Sequence, residues 1–329
     1  MSSSKIDFKK HTVMSLDDYL NVIKKIKDAE GTTWFRGQSD ASYRLTPSAM
    51  RHRYTIADQF GRRVSPLIEL GRGETVAILP FQIMLQKFKE IAQEYIGEYL
   101  RMEPKNDLEW LFLAQHYGVP TPLLDWSTDP LIALFFATQS NIALDRILPE
   151  DDAINDFNNN SFSEYGAAVF VMNPYKVNLQ SSEHIKQKSG EPFIDVINIA
   201  DDKYYPHFKG YIDGENGSRF GLPLCILGGE IDRRICRQSG NFTIHGSQVR
   251  PLDQYNVIQP LLHKIFIPYS CFSTIKSWLE VLNITNESVY GDNHLQTLVS
   301  TIGEDAIKRF KEELEDMLKK YGENKILNI

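Results

Sequence analysis

The 329-residue sequence predicts an α+β fold, with short-stranded mixed or antiparallel sheets and surrounding helices. Two observations carry this. Apolar residues recur at helical spacing in two long stretches, which marks one-sided helices. Strand candidates are brief and dispersed, and they do not alternate regularly with helices as a parallel βαβ sheet requires.

The first element is a helix: Ser15 and Asp18 resemble a capping box, and Leu16, Tyr19, Leu20, Ile23 and Ile26 follow helical spacing. Thr32 to Phe35 is β-branched and aromatic, so it predicts a short strand ending at Arg36-Gly37. Residues 38–78 are irregular and basic, with Arg44, Arg51, Arg53, Arg62, Arg63 and Arg72. Local basicity in an acidic chain invites an anionic ligand; the other reading is a solvated loop whose arginines pair with acids elsewhere. Leu85, Phe88, Ala92, Tyr95 and Tyr99 predict a helix over roughly 81–101. Asp107 is expected to cap a second helix carrying Leu108, Leu111, Phe112 and Gln115, which the segment Gly118 to Pro122 must end.

Leu123-Leu124 predicts a brief buried strand, and Asp129-Pro130 a helix start. The helix from Leu131 to Ala137 is apolar on every side and should be buried. Residues 149–165 are acidic and Asn-rich, which predicts a surface insertion or seam. Ala167–Met172, Leu224–Leu227, Phe242–His245 and Lys264–Ile267 are strand candidates, and Asp213 to Gly217 a turn. Ile307, Phe310, Leu314, Met317 and Tyr321 predict a terminal helix, whereas 173–220 has no clear periodicity.

Composition narrows the function classes. A net charge of −7 argues against a nucleic-acid coat protein, and the basic stretch 44–72 has few stacking aromatics beyond Tyr43, Tyr54 and Phe60. Nucleic acid is therefore the lowest-ranked partner. No stretch approaches the ~18 apolar residues of a membrane helix, and the opening MSSSKIDFKK lacks the apolar core of a secretory signal. Cys225, Cys236 and Cys271 fit neither a disulfide framework nor a metal motif, and the eight histidines are scattered. A reduced, cytoplasmic, metal-free protein is expected. No phosphate-loop, dinucleotide-fingerprint, H-E-x-x-H or nucleophile-elbow motif is present.

The candidates for chemistry are polar residues set against apolar sequence. Arg36 follows an apolar strand with Gly37 behind it, and such a glycine lets the backbone turn or a ligand come close. Asp125 lies between a buried strand and an apolar helix, where an unpaired carboxylate is costly; it either caps the helix or pairs with a buried arginine, unless it is functional. Ser127 and Thr128 are either N-caps or pocket hydroxyls, and His116 closes a helix beside them. Arg233 to Phe242 brings Arg234 and Gln238 into a β-like stretch, either as an outward sheet edge or as an amide aimed into a cleft.

Trp34-Phe35-Arg36-Gly37-Gln38, followed by Tyr43, Leu45, Pro47 and Arg51, resembles the opening of the FRG domain. Gln115-His116-Tyr117-Gly118-Val119-Pro120-Thr121, then Leu123 to Pro130 and Ala133 to Ala137, is similar to that family's central block. Arg234, Gln238, Gly240 and Phe242 resemble its third block, while Pro122 stands where the family often carries arginine. The resemblance divides the chain into a flexible tail 1–13, an FRG domain 14–282 with an acidic insertion near 149–165, and a helical extension 283–329 packed on the domain.

A second, shorter resemblance is to ADP-ribosyltransferases. Their NAD site opens with a strand ending in Arg-Gly, similar to Trp34–Gly37, and continues with S-T-S and A-x-x-F, similar to Ser127-Thr128-Asp129 with Ala133 and Phe136. Their ribose-aligning glutamate would fall near Gln238, a neutral amide here. The resemblance implies an ADP-ribosyltransferase-like fold and an NAD-binding, toxin-like enzyme. It implies Arg36, Gly37, Gln38, Arg51, His116, Ser127, Thr128 and Arg234 as cofactor-binding residues, with Gln238 and Asp125 as catalytic ones. The alternative is a non-catalytic nucleotide- or protein-binding sensor module. A stress or phage-defence setting and a protein target are expected partners of either reading.

Overall fold

The computed structural model describes residues 8–66, 75–95, 103–140, 142–189, 195–198, 205–212, 221–228, 237–291, 294–323 and 325–328. Among the described residues, eight strands form one mixed, largely antiparallel sheet. They are β1 (Lys9–Thr12), β2 (Trp34–Gln38), β6 (Leu123–Ser127), β7 (Gly166–Met172), β8 (Ile197–Asn198), β9 (Leu224–Leu227), β10 (Gly240–Ile244) and β11 (Leu262–Pro268). Their spatial order is β1-β11-β7-β2-β6-β10-β9-β8, with only the two edge pairs, β1 with β11 and β8 with β9, parallel. A smaller sheet joins β3 (Arg53–Ala57) to β4 (Arg63–Val64), β5 (Ala77–Ile78) and β12 (Ile326–Asn328).

The large sheet is covered on both faces, so its central strands are apolar on both sides. In β7, Ala167, Val169 and Val171 pack on one face, while Ala168, Phe170 and Met172 pack on the other. Helix α1 (Leu16–Glu30), α4 (Pro130–Ala137) and α8 (Phe272–Val281) contribute Tyr19, Ile23, Leu134, Ile275 and Leu279 to the first face. A third core gathers α2 (Phe81–Ala92), α3 (Asp107–His116) and α10 (His294–Tyr321) around Leu123, Phe242 and Ile244.

The helix signals hold with adjustments. Ser15 caps α1, its hydroxyl accepting from the Asp18 amide at 3.1 Å. Asn106, not Asp107, caps α3: its side-chain oxygen accepts from the Leu108 and Glu109 amides, and Asp107 instead pairs with Lys89 at 2.6 Å. Helix α2 stops at Ala92 and tightens into a short 3-10 turn over Gln93–Tyr95, so the predicted span to 101 is too long by the described residues; 96–102 lie outside them. The expected turn at Asp213–Gly217 also lies outside the described residues.

One expectation is corrected. The tail 1–13 is not loose throughout: Phe8 and Val13 are buried, and Lys9–Thr12 pairs in parallel with His263–Phe266. An edge strand tolerates the polar sequence that suggested a loop, because its hydrogen bonds come from the neighbouring backbone. The acidic segment lies at the surface and seats one face on the core. Glu150–Asn159 forms α5, whose Ala153 and Phe157 are fully buried, and the Phe157 ring stacks on Phe266 at 4.5 Å. Its acids Glu150, Asp151 and Asp152 occupy the first turn, where the helix dipole favours them. The C-terminal stretch packs through Val299, Ile302 and Phe310, and also adds strand β12 beside β3.

The N-terminal strand is clasped by Glu30 at the end of α1. Its carboxylate accepts from Lys9 at 2.9 Å and Lys176 at 2.7 Å, and meets His263 at 3.4 Å. Burial opposes the charge, but the hydrogen bonds from Lys176, Lys9 and His263 outweigh it and hold this carboxyl down at about 2. Because the folded value is depressed, the stabilisation is complete above the ordinary carboxylate range and fades as pH falls toward 2. Glu30→Gln is expected to cost about 2 kcal/mol at pH 7. The deficit should shrink as urea melts are repeated between pH 5 and 3.

Candidate functional site

The eight-stranded sheet is two four-stranded halves held by one bridge. β2 is paired along its whole length with β7, and β6 along its whole length with β10. Between β2 and β6 the ladder consists of one pair, Phe35 with Ser127. Beyond it the strands part, and a cavity of about 590 Å³ lies against the split.

Arg36 enters this split from β2. Its guanidinium donates to the Asp125 carbonyl at 2.8 Å and reaches the Asp125 carboxylate at 3.5 Å. The side chain is 14% exposed, and its Nε has no hydrogen-bond partner. Burial pulls the Arg36 pKa below its ordinary value, Asp125 partly restores it, and the charge of Arg51 lowers it again. A buried donor left unmatched next to a cavity is costly, and it is the arrangement a ligand acceptor would complete. Burial, with a smaller contribution from the Arg36 charge, outweighs the hydrogen bond with the Arg250 backbone and holds the His245 pKa down at about 3.

Asp125 is not a helix cap. It pairs with Arg36, one of the two readings its sequence context allowed, and 47% of its side chain remains exposed. A relay fixes it: Thr121 Oγ1 accepts from the Leu123 amide and donates to Gln115 Oε1 at 2.5 Å, and Gln115 Nε2 donates to Asp125 Oδ2 at 2.8 Å. Both ends of the Gln115 amide are therefore committed, which sets its orientation and that of the carboxylate.

Gly37 has a different role from the expected close approach of a ligand. A Cβ placed there would lie 1.9 Å from the Ala133 carbonyl oxygen and 2.6 Å from the Ala137 nitrogen. The glycine lets α4 lie directly on β2, so it is the helix backbone that comes close. Gln38 is buried, lines the cavity and donates to the Arg44 carbonyl at 3.2 Å.

Ser127 is a knot as well as a wall residue. Its hydroxyl donates to the Gln238 carbonyl at 2.7 Å and accepts from the Asp129 amide at 3.0 Å. Asp129 is the α4 N-cap, accepting from Leu131 at 2.8 Å. Thr128 is exposed and outside the cavity wall; only its amide is engaged, donating to the Ser239 carbonyl, so the expected pocket role is corrected. The chain turns out of the sheet at the β6 end, which points residue 128 away. Gln238 lines the cavity and its Nε2 donates to Val289 at 3.3 Å. Ser239, beside it, has φ of 47°, a conformation L-residues rarely adopt and one that functional turns often hold.

The structure thus brings Arg36, Gly37, Gln38, Arg51 and His116 to one cavity, together with Asp125, Ser127 and Gln238. Arg234 lies outside the described residues. Arg51 is exposed, and its Nε donates to the Thr46 carbonyl. Sequence reasoning did not assign Gln115, Tyr43, Arg44 or Gln296, all of which line the wall. A polar residue ending a helix buried on all sides was the available signal for Gln115; nothing local marks Gln296 on the distant α10. The loop bearing Tyr43 and Arg44 is held by fully buried Asp253, which accepts from Arg44 at 2.9 Å and from the Leu45 amide at 2.8 Å. Buried Lys264 donates to Ala41 and Ser161 from among Phe162 and Phe170, and burial drops its pKa to about 7.

Among the described residues no three His, Cys, Asp or Glu side chains converge as a metal site, and no helix is long and apolar enough to cross a membrane. Fold and cavity together define an α+β protein with an arginine-bearing cleft at a sheet split. A comparison with family models matches residues 31–146 to the FRG domain. The chain carries an FRG domain over those residues, which include β2, β6, Arg36 and Asp125 but not Gln238. Neither the curated proteins nor the solved structures returned a match.

Proposed function

We propose that the cavity binds an NAD-class dinucleotide and that the chain is an ADP-ribosyltransferase-like or NAD-cleaving enzyme. The observation that supports this is the convergence of eight of the expected site residues, from well-separated segments, on one cavity of about 590 Å³. That volume falls in the range of small-molecule sites, roughly 300–1,000 Å³. Arg36 and Arg51 supply two guanidinium groups for a diphosphate, a geometry arginine is suited to. Asp125, half-exposed and oriented by Gln115, offers a carboxylate to ribose hydroxyls and to the positive charge that develops on the ribose. In that reaction the bond from ribose C1′ to the nicotinamide nitrogen breaks, and its electron pair leaves with nicotinamide. A lone pair of water or of an acceptor forms the new bond. The domain 14–282 and a cytoplasmic, stress- or phage-defence setting are parts of the same reading.

The second reading is a sensor module that binds the nucleotide without turning it over. It is favoured by Gln238, which carries no charge and whose amide is already bonded to Val289. Mass spectrometry separates the two. The enzyme reading expects nicotinamide to accumulate from NAD with the wild-type chain and to fall at least tenfold with Asp125→Asn. Calorimetric binding of NAD without nicotinamide release selects the sensor, and no binding at all sinks both.

A further inference from the structure

Tyr43 is the one exposed residue between Gln38 and Met50. The loop that carries it buries Asp40 and shows an aromatic side chain, 56% exposed, at the cavity wall. That inverts the usual order, in which carboxylates face water and aromatic groups are covered. The display is not slack in the chain, because the residues on either side of Tyr43 are tied down in turn. The Ser39 carbonyl accepts from the Tyr269 hydroxyl at 3.0 Å. Asp40 accepts from the Ser42 amide at 2.8 Å and from Arg146 at 2.7 Å. The Ala41 amide donates to the Gly166 carbonyl at 2.7 Å, and its carbonyl accepts from buried Lys264 at 2.6 Å. The Arg44 carbonyl accepts from Gln38, and the Arg44 guanidinium is fixed on Asp253. The Tyr43 amide closes the turn on the Asp40 carbonyl at 3.2 Å.

The other aromatic side chains of the wall are engaged. Phe35, Trp126 and Phe242 are buried, and Phe136 meets Phe135 and Tyr290 edge-on. The neighbouring Arg44 guanidinium lies over the Phe162 ring at 3.5 Å, so it is turned to a different partner. No ring or cation among the described residues stacks on Tyr43. A firmly held, unstacked ring on the same wall as Arg36 and Arg51 fits a flat base carried on phosphate. An acidic peptide or a bare sugar phosphate would use the arginines and leave the ring idle. We propose that Tyr43 is the residue on which a heteroaromatic base of the bound nucleotide stacks, and that it makes the cavity select nucleotides over sugar phosphates. The inference rests on the dinucleotide reading and adds a specificity-determining residue to it.

Calorimetry of wild type and Tyr43 variants with NAD, AMP, nicotinamide mononucleotide and ribose 5-phosphate tests it. Tyr43→Ala is expected to weaken NAD about tenfold or more, and to weaken AMP or nicotinamide mononucleotide by a similar factor, according to which base meets the ring. Ribose 5-phosphate, which has no base, should respond alike to both chains. Tyr43→Phe should keep the NAD affinity and Tyr43→Leu should not, because bulk without a ring cannot stack. Equal NAD binding by wild type and Tyr43→Ala would overturn the proposal and leave the dinucleotide reading in place. Full affinity in Tyr43→Leu would do the same, as would a loss for ribose 5-phosphate as large as that for NAD. Absence of NAD binding by wild type would instead remove the dinucleotide reading, and this inference with it.

Discussion

Gly37→Ala is expected to destabilise the protein by about 3 kcal/mol or more, the upper range for overpacking a core. The added methyl would meet the Ala133 carbonyl and the Ala137 amide of α4, both backbone atoms that no rotamer change can move. Relief requires α4 to lift from β2. That movement would expose Leu134 and Phe135, which pack with Phe35 in the same core, and would open the cavity wall at Phe35 and Phe136. Urea unfolding should show a lower midpoint and an m-value no larger than that of wild type, because the displaced helix already exposes apolar surface in the native state. A midpoint within error of wild type would show that the helix is not in fact seated on the strand.

Arg36→Ala is expected to weaken NAD binding about 100-fold or more, equivalent to about 2.7 kcal/mol. Two effects add. The diphosphate loses a charge-assisted donor, and Asp125 is left as an unbalanced carboxylate beside it, so an attractive wall becomes a repulsive one. Arg36→Lys keeps the charge but loses the planar fork and should recover part of the affinity. Folding stability should fall as well, because the Asp125 carbonyl loses its 2.8 Å donor. Calorimetry of the folded variants keeps the two effects apart, and unchanged affinity in Arg36→Ala would remove the arginine from the binding role.

Element types were largely legible in the sequence because they depend on near neighbours. The strand Leu224–Leu227 matches its prediction, and the predicted cap at Ser15 and the buried helix after Asp129-Pro130 are observed. Boundaries moved where tertiary pairing extended a strand: β6 continues from Leu123-Leu124 through Ser127 because β10 pairs with all five residues. That extension put Asp125 inside a sheet and not in a loop. The acidic segment folds as a surface helix whose seated face its composition does not reveal. Its charges dominate the composition, while the two side chains that decide its burial, Ala153 and Phe157, are only two of ten helix residues.

The sequence by itself determined which polar residues sit against apolar neighbours, and so singled out Arg36, Asp125, His116 and Gln238. It also determined the α+β class and the FRG resemblance. Only the tertiary structure decided that these residues share a cavity, since that depends on a single β2–β6 bridge and on register, which pattern does not encode. It also decided that Gly37 serves a helix, that Thr128 faces away, and that Gln115 holds Asp125. Local periodicity reports what a side chain needs from its surroundings; which partner meets that need is settled by contacts between residues far apart in the chain.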